Sequence, residues 1–562
     1  MSSSKYFDVF TAVVLVAALG LTSVLLYFGR QSTTAEAMSM AVNMPYEEIF
    51  DKFQVMEIEI NISQEDWTDM LDNPLEEEYK QCDVMVNGTV YTDAAIRTKG
   101  NTSLTQVASG ESDRYSFKIE FDHYDKNKSM LGLDKLVLNN LFCDASYVKE
   151  YIAYDIFHYL GVETPYYGFA NITVNGENFG CYLALEAMED SFLRRAYSGK
   201  GQLYKPESTQ AGGIGHEEQF GEMKRPEEME MPEGLEGSEP PKGTGSFGSF
   251  EGEESYKAAE VRDFSKGDMP KDQNPPEQGN RGFGMGEAGG GSDLVYTDEE
   301  SDSYNDIFDN ASFDITKEDE QRVIEALQKL NAGEELEKYV DVDACLRYFA
   351  AQTFIVNMDS YYSNLKHNYY LYEQEGQLTI LPWDLNLAFG GFQSTDATEA
   401  VNNAIDTPMG GGLEEDRPLF SKLMEVAEYK ELYHNYLNEI TEGYVNSGLF
   451  TSTLSEIKAV IAPYVDKDTT AFYSYQEFEE AIETLETFVL LRAESVDKQL
   501  EGSIPAVSEE RTLDTALVDA SGISLSTMGV QGGDGAGGKG SRGGNMFGGG
   551  PMGKERGMAK GE

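Results

Sequence analysis

Three polar side chains near the middle of the chain have the types and spacing that phosphoryl transfer requires. Asp359 precedes Asn364 by five residues in "NMDSYYSNLKHNYYLY", and Asp384 follows the next apolar segment in "PWDLNLAFGGF". One carboxylate can orient an attacking hydroxyl and take its proton, while a second carboxylate and an amide oxygen can bind Mg²⁺ against phosphates. An aspartate at a turn can equally cap a helix, so the spacing alone leaves both interpretations open.

Basic residues that could bind an anion occur earlier in the chain. Arg97 and Lys99 lie in "RTKGNTS", a polar Gly-Asn turn between two predicted strands, and Lys118 lies in the next strand, "SFKIEF". Glu150 is on the helix that follows, where we expect it to pair with Lys118. Each basic residue alone is typical of an exposed strand, but together with the aspartates they indicate a phosphate site.

The surrounding pattern predicts the elements that must position these residues. Segments such as "VMEIEINIS" and "YSFKIEFD" alternate like antiparallel strands, "DASYVKEYIAYDIFHYLG" has the periodicity of a helix, and Asn175-Gly176 marks a hairpin. Later segments are mostly helical, except for the strand pair "NYYLYE" and "QLTILPW". We therefore predict an α+β fold with a strand-rich N-lobe at 51–210 and a helical C-lobe at 293–505, as in an atypical protein-kinase-like two-lobe fold.

Composition excludes several classes of protein. The chain has 562 residues with 43 Lys and Arg against 99 Asp and Glu, a formal charge of -56. Such a polyanion repels nucleic acid, so we expect no nucleic-acid partner. The four cysteines and five histidines are scattered without CxxC or HExxH spacing, which argues against a zinc site or a disulfide scaffold.

Three segments lie outside the predicted lobes. Residues 9–28 form an uncharged apolar run long enough for a transmembrane helix, followed by a linker at 29–50. The flanking charges favour a membrane anchor with the bulk of the chain extracytoplasmic, and a secreted protein cleaved near Ala35 or Ala37 is the alternative. The Gly, Pro, Glu and Met composition of 211–292 predicts a disordered insertion, and 506–562 a disordered Gly-rich tail.

In nine ordered blocks the chain resembles the CotH-type atypical kinases, a family named for a bacterial spore coat protein. The resemblance covers about Val55 to Ser503 without the insertion, and its blocks are "RTKGNTS", "SFKIEFD", "LDKLVLNN", "DASYVKEYIAYDIF", "VNGENFGCYLALE", "LYKPE", "NMDSYYSN", "HNYYLY" and "PWDLNLAFGGF". It implies a surface-associated kinase that uses ATP and Mg²⁺, with Mn²⁺ as a substitute, to phosphorylate Ser-rich coat or surface proteins.

The resemblance also implies roles for individual residues. Asp359 looks like the catalytic aspartate and Asp384 like the metal-binding one, while Lys118 and Glu150 look like the ion pair that fixes the nucleotide phosphates. Glu186 in "LALEAM" falls where the interlobe hinge should meet adenine.

Lys205 in "LYKPE" is a further candidate phosphate contact. The amide that joins the metal site stays open. Asn364 has the kinase spacing, whereas the family motif centres on the residue before the Tyr pair, here Asn368. Asn386 stands where relatives often carry a second aspartate, so it either weakens the metal site or ligates through its amide oxygen.

The sequence is compatible with three functions. The first is a Ser/Thr protein kinase of the atypical class, and the second is a catalytically weak surface or spore-coat interaction protein, either adhesin or scaffold. The third is a transferase that moves a phosphoryl or nucleotidyl group to a surface polymer. A scaffold would not need Asp359, Asp384 and Lys118 together, which favours the first.

Overall fold

The computed structural model describes residues 44–208, 290–409 and 413–529. The predicted anchor at 9–28, nearly all of the predicted insertion and the end of the predicted tail lie outside these ranges. Across the described ranges, no helix combines the length and the apolar character needed to cross a membrane.

A seven-stranded closed barrel forms the first half of the fold. The neighbouring strands pair antiparallel, except that β1 (Met56–Ile62) pairs parallel with β6 (Tyr167–Val174), and this contact closes the barrel. The sequence pattern predicted antiparallel strands but not the closure. The barrel strands are β1 (Met56–Ile62), β2 (Lys80–Val86), β3 (Thr89–Lys99), β4 (Ser116–Glu120), β5 (Lys135–Asn139), β6 (Tyr167–Val174) and β7 (Glu177–Glu186).

Along β3, β4 and β5, side chains point alternately into the barrel core and towards the outer face, which carries the polar candidate site residues. Ile96, Phe117 and Leu138 are fully buried in the cluster that fills the barrel. Lys99 and Lys118 follow the opposite parity and project from the outside of the barrel. This outer face packs against the helix Lys149–Tyr159 and the helical region.

Four helices accompany the barrel. The sequence predicts only a Gly-Asn turn between β3 and β4, but a helix that begins at Thr102 follows this turn. The helix α3 begins where the Lys149 N–H donates to the Asp144 carboxylate, and it ends before Gly161, whose φ is 75°. These helices are α1 (Gln64–Asp72), α2 (Thr102–Ala108), α3 (Lys149–Tyr159) and α4 (Asp190–Tyr197).

The second half of the fold is helical around a three-stranded sheet. The predicted strand pair is present as β9 (Tyr369–Gln374) and β10 (Gln377–Pro382), and β8 (Gln202–Tyr204) joins its other edge. Capping boxes start two of the predicted helices, α6 (Lys317–Ala332) and α13 (Tyr475–Leu500). The helices are α5 (Asn305–Phe308), α6 (Lys317–Ala332), α7 (Leu336–Tyr339), α8 (Val342–Phe354), α9 (Ala397–Val401), α10 (Pro418–Met424), α11 (Ala427–Asn438), α12 (Leu449–Val465) and α13 (Tyr475–Leu500), with a π-helix at Glu439–Asn446.

Two of the predicted segment boundaries are wrong. The predicted linker ends too late, because Pro45–Phe50 forms a 3₁₀-helix whose Tyr46 and Phe50 are buried against the barrel. The predicted disordered tail begins too early, because Val518, Ala520, Leu525 and Met528 are buried in the main core. Burial of apolar side chains offsets the conformational entropy that these segments lose when they become ordered. Composition alone does not reveal this burial.

Candidate functional site

Asp384 lies in the turn that follows β10, where the backbone has a left-handed φ of 54°. Burial raises the pKa of its carboxyl group, and the negative charge of Asp359 adds to this shift. The positive charges of Lys99, Lys205 and His367 oppose it. Charges shift one another's pKa in this way only when they lie close together. The fold therefore brings these side chains from separate segments to one site.

Asp359 is held in the loop after α8 by an array of hydrogen bonds. Its backbone N–H donates to the Asn357 side chain at 3.1 Å, and its carboxylate contacts His367 Nε2 at 2.7 Å. The Asn368 amide N–H donates to the other carboxylate oxygen and to the Asp359 carbonyl, each at 3.0 Å. Because the side chain is only 8% exposed, these bonds fix the direction of the carboxylate.

Lys99 and Glu150 meet through the side chain of Asn139. Lys99 Nζ donates to Asn139 Oδ1 at 3.2 Å, and Asn139 Nδ2 donates to Glu150 Oε2 at 2.9 Å. Burial lowers the pKa of Lys99, against the attraction of Asp384 and Glu150. Lys99 Nζ also lies 5.9 Å from the ring centre of Trp383, the neighbour of Asp384. A half-buried cation is thus placed between the barrel and the Asp384 turn.

Burial raises the pKa of Glu150, and the nearby Asp384 charge adds to this effect. The hydrogen bond from Asn139 and the charge of Lys99 act in the opposite direction. These opposing effects do not outweigh burial, and the pKa of Glu150 stays raised, at about 8.

The predicted ion pair between Lys118 and Glu150 is wrong. Lys118 Nζ donates to Glu189 Oε1 at 2.6 Å, and Lys135 pairs with the other oxygen of the same carboxylate. Strand register explains the difference. Lys118 pairs with Val137, two residues before Asn139, and so lies away from the side chain that contacts Glu150. Lys118 still lies close enough to lower the pKa of Lys99, so it borders the site.

Two other predicted basic contacts have partners of their own. Arg97 forms an ion pair with Glu77, and its guanidinium lies over the ring of Tyr79. Lys205 pairs with Glu207, and its charge also opposes the raised pKa of Asp384. Lys205 is therefore near the site, whereas the described contacts of Arg97 belong to the barrel.

Glu186 is fully buried in a network that connects the barrel to its neighbours. Its carboxylate accepts hydrogen bonds from the Tyr46 hydroxyl at 2.6 Å and the Tyr166 backbone N–H at 3.0 Å, and it pairs with Arg195 at 2.9 Å. These bonds saturate the carboxylate. The parity of β7 turns this side chain inward, and the expectation that Glu186 lies where the hinge meets adenine stays a prediction.

The donors available to a metal are oxygens of amides and carboxylates. Asn368 donates its N–H groups to Asp359, which leaves its amide oxygen for another contact, whereas Asn364 is exposed. Asn386 Oδ1 is buried and accepts no hydrogen bond from the described residues. Together with the Asp384 carboxylate, these hard oxygen donors fit Mg²⁺. Among residues 44–208, 290–409 and 413–529, no group of three His, Cys, Asp or Glu side chains has the arrangement of a metal centre.

Sequence reasoning missed two residues of this site. Asn139 carries no motif signal beyond its place at the end of the apolar strand "LDKLVLNN", and His367 has no second histidine at metal-binding spacing. His367 could have been found from its position next to Asn368, since adjacent polar residues before a strand often share a turn. Asn139 could be identified only from the strand register.

Two comparisons with known proteins bear on this arrangement. A family model described as CotH kinase protein matches residues 96–243 and 284–496. The chain is also 23% identical over 265 residues to the inner spore coat protein H of Bacillus subtilis (strain 168), covering 47% of this chain and 52% of that protein. The chain thus spans about half the length of this curated relative. Since the family match covers more than half of the chain and includes the segments of Lys99, Glu150, Asp359 and Asp384, this protein belongs to the CotH kinase protein family.

Proposed function

We propose that this protein transfers the γ-phosphoryl group of ATP to serine or threonine hydroxyls, as an atypical protein kinase with a two-lobe kinase-like fold. The observation that carries the proposal is the convergence of Asp359, Asp384 and the Lys99–Asn139–Glu150 array on one site. A purely structural site would not need two neighbouring aspartates close to a half-buried lysine. Membership of a family described as kinase supports the same reaction.

The proposed reaction assigns a separate task to each side chain. Lys99 binds phosphate oxygens of the nucleotide, and Glu150 and Asn139 hold its ammonium group in place. Asp384, Asn368 and Asn386 would hold Mg²⁺, which when bound neutralises charge on the phosphates. Lys118 and Lys205, at the border of the site, add positive potential for the same anion.

Asp359 then orients the acceptor hydroxyl and accepts its proton. The acceptor oxygen forms a bond to the γ-phosphorus, the bond from that phosphorus to the bridging oxygen breaks, and ADP leaves. His367 contacts one oxygen of the Asp359 carboxylate and the N–H of Asn368 donates to the other, so the carboxylate keeps a fixed direction. The acceptor we propose is a Ser-rich coat or surface protein, in line with the name of the spore coat relative.

Labelled ATP tests the proposal directly. Purified full-length protein is incubated with Mg²⁺ or Mn²⁺ and ATP labelled at the γ-phosphate, in parallel with ATP labelled at the α-phosphate. Asp384→Asn is the matched control because it keeps the size of the side chain and removes its charge. We expect γ-label on casein-like acceptors or on the chain itself from the unmodified protein only.

The alternative functions correspond to other outcomes of the same experiment. Transfer of α-label would replace the kinase proposal by nucleotidyl transfer to a hydroxyl. Equal labelling of the unmodified and Asp384→Asn proteins with either metal would reject catalysis at this site and favour an interaction protein.

A further inference from the structure

The last residues that the structure describes contact two parts of the candidate site. These are the start of α3, which carries Glu150, and the segment that follows Asp384. Residues 518–529, which we name the C-terminal strap, continue past α13 and finish beside the start of α3. The Met528 carbonyl accepts a hydrogen bond from the Ala145 N–H at 3.1 Å, and the Gly529 carbonyl accepts one from Lys149 Nζ at 2.8 Å. Lys149 is the first residue of α3, directly before Glu150.

The Lys149 side chain connects the strap to α3 inside the protein. Its relative exposure is 0%, and its ammonium group donates to two backbone carbonyls, Cys143 at 2.7 Å and Gly529. A buried ammonium group requires acceptors, and the strap supplies one of them. Loss of the strap would leave this group short of a partner at the first turn of α3.

The other part of the strap contacts the segment that follows Asp384. Leu525 packs so closely on Gly390 that a Cβ added to this glycine would lie 3.4 Å from Leu525 Cδ1. The Gly390 N–H in turn donates to the Val356 carbonyl at 3.2 Å, just before the Asp359 loop. The strap therefore reaches the segments of both aspartates through Gly390.

Asn402 fixes the beginning of the strap. Its amide nitrogen donates to the Val518 carbonyl at 2.8 Å, and its amide oxygen accepts from the Val518 N–H at 3.1 Å. Because Asn402 is only 1% exposed, this two-way bond is shielded from water. Residues 518–529 are thus attached at their start, in their middle and at their end.

We propose that the C-terminal strap is a positioning element of the active site, which holds the start of α3, and with it Glu150, against the segment that carries Asp384. Lys149 is then a positioning residue that acts through Glu150. The inference rests on the proposed kinase function, and it adds a requirement for residues far from the predicted motifs.

Truncation with hydrogen exchange and kinetics tests the proposal. The chain that ends at residue 517 is compared with the chain that ends at 529, which keeps the strap. We expect exchange in peptides covering α3 and residues 384–391 to accelerate by about tenfold or more in the shorter chain. We also expect kcat to fall by about tenfold or more while KM for the acceptor is unchanged, because Glu150 acts at the phosphates. A synthetic peptide of residues 516–530 should restore kcat in a saturable way.

Two substitutions in the full-length chain guard against a truncated protein that does not fold. A Cβ at Gly529, whose φ is 79°, would lie 2.6 Å from the Cys143 carbonyl oxygen, so Gly529→Ala should displace the end of the strap. Gly522→Ala is the matched control within the strap, because its Cβ would meet nothing within 4 Å. We expect the first to reproduce the effects of truncation and the second to behave like the unmodified protein.

The outcomes separate this inference from the proposed function. Unchanged exchange in α3 and residues 384–391 after truncation and in Gly529→Ala would overturn the strap proposal, whether or not the protein transfers phosphate. Faster exchange spread evenly over the barrel and the helices would also overturn it, because the strap would then contribute only to global stability. Accelerated local exchange in a protein that transfers no label would retain the strap and reject the kinase.

Discussion

Lys99 and Glu150 are joined by a single side chain, that of Asn139, which accepts a hydrogen bond from the lysine at 3.2 Å and donates one to the glutamate at 2.9 Å. The arrangement places the cation of the proposed phosphate site on β3, whereas motif spacing had assigned this role to Lys118 on β4. Asn139 keeps Lys99 and Glu150 in one orientation without a direct ion pair, which leaves the ammonium group with donors for a nucleotide phosphate.

We expect Lys99→Met to lower kcat/KM for ATP by about 100-fold or more, because methionine fills the same volume without the charge that binds phosphate. Lys118→Met is the matched variant on the neighbouring strand, and we expect a loss of less than about tenfold because Lys118 is committed to Glu189. Steady-state transfer of γ-label measures both. The reverse order of the two losses would restore Lys118 as the phosphate ligand.

Substitution can distinguish which side-chain amide, that of Asn364 or that of Asn368, binds the metal. Asn368→Ala should lower kcat by about 10- to 100-fold and raise the Mg²⁺ concentration needed for half-maximal activity, because it removes an oxygen ligand and a donor to Asp359. Asn364→Ala should leave both values unchanged, since Asn364 is exposed. Titration of activity with Mg²⁺ checks this prediction, and a higher Mg²⁺ requirement in Asn364→Ala alone would reverse the assignment.

His367 is predicted to orient Asp359 rather than to bind metal. We expect His367→Phe to lower kcat by about tenfold through loss of the 2.7 Å contact, and His367→Gln to recover much of the activity because its amide can donate to the same oxygen. KM for ATP should be unchanged in both variants. If the two variants lose activity equally, a hydrogen bond from this position is not what Asp359 requires.

The Glu189 carboxylate should make stability depend on pH in the acidic range. Burial alone would raise its pKa, but Lys118 and Lys135 outweigh burial and lower the pKa from 4.5 to about 2. A carboxyl group with a lowered pKa stabilises the folded protein fully above 4.5, and this contribution is lost as the pH falls from 4.5 towards 2. The contribution is at most on the order of 3 kcal/mol.

Urea unfolding of the unmodified protein and Glu189→Gln between pH 7 and pH 3 measures this effect. We expect the unmodified protein to be more stable at pH 7, and the difference in free energy of unfolding to shrink as the pH is lowered below 4.5. A difference that stays constant over this range would mean that Glu189 stabilises the fold by packing and not by its charge.

Much of the fold could be predicted because local patterns dictate it. The strand pair around Glu375-Gly376 and the hairpin at Asn175-Gly176 form as their turn residues indicate. The helix that carries Glu150 ends just before Gly161, the residue predicted to stop it. Closure of the barrel was not predictable in this way, because the parallel contact between β1 and β6 joins segments more than a hundred residues apart.

The sequence by itself determined the types of residue available for chemistry and the elements that carry them, since alternation, helical periodicity and turn residues act over short distances. Only the tertiary structure decided which of these residues meet. Strand register placed Lys99 rather than Lys118 beside Glu150, and loop geometry placed Asn368 rather than Asn364 on Asp359. It also ordered residues 518–529, because burial of a few apolar side chains in a core formed by distant segments outweighs a flexible composition.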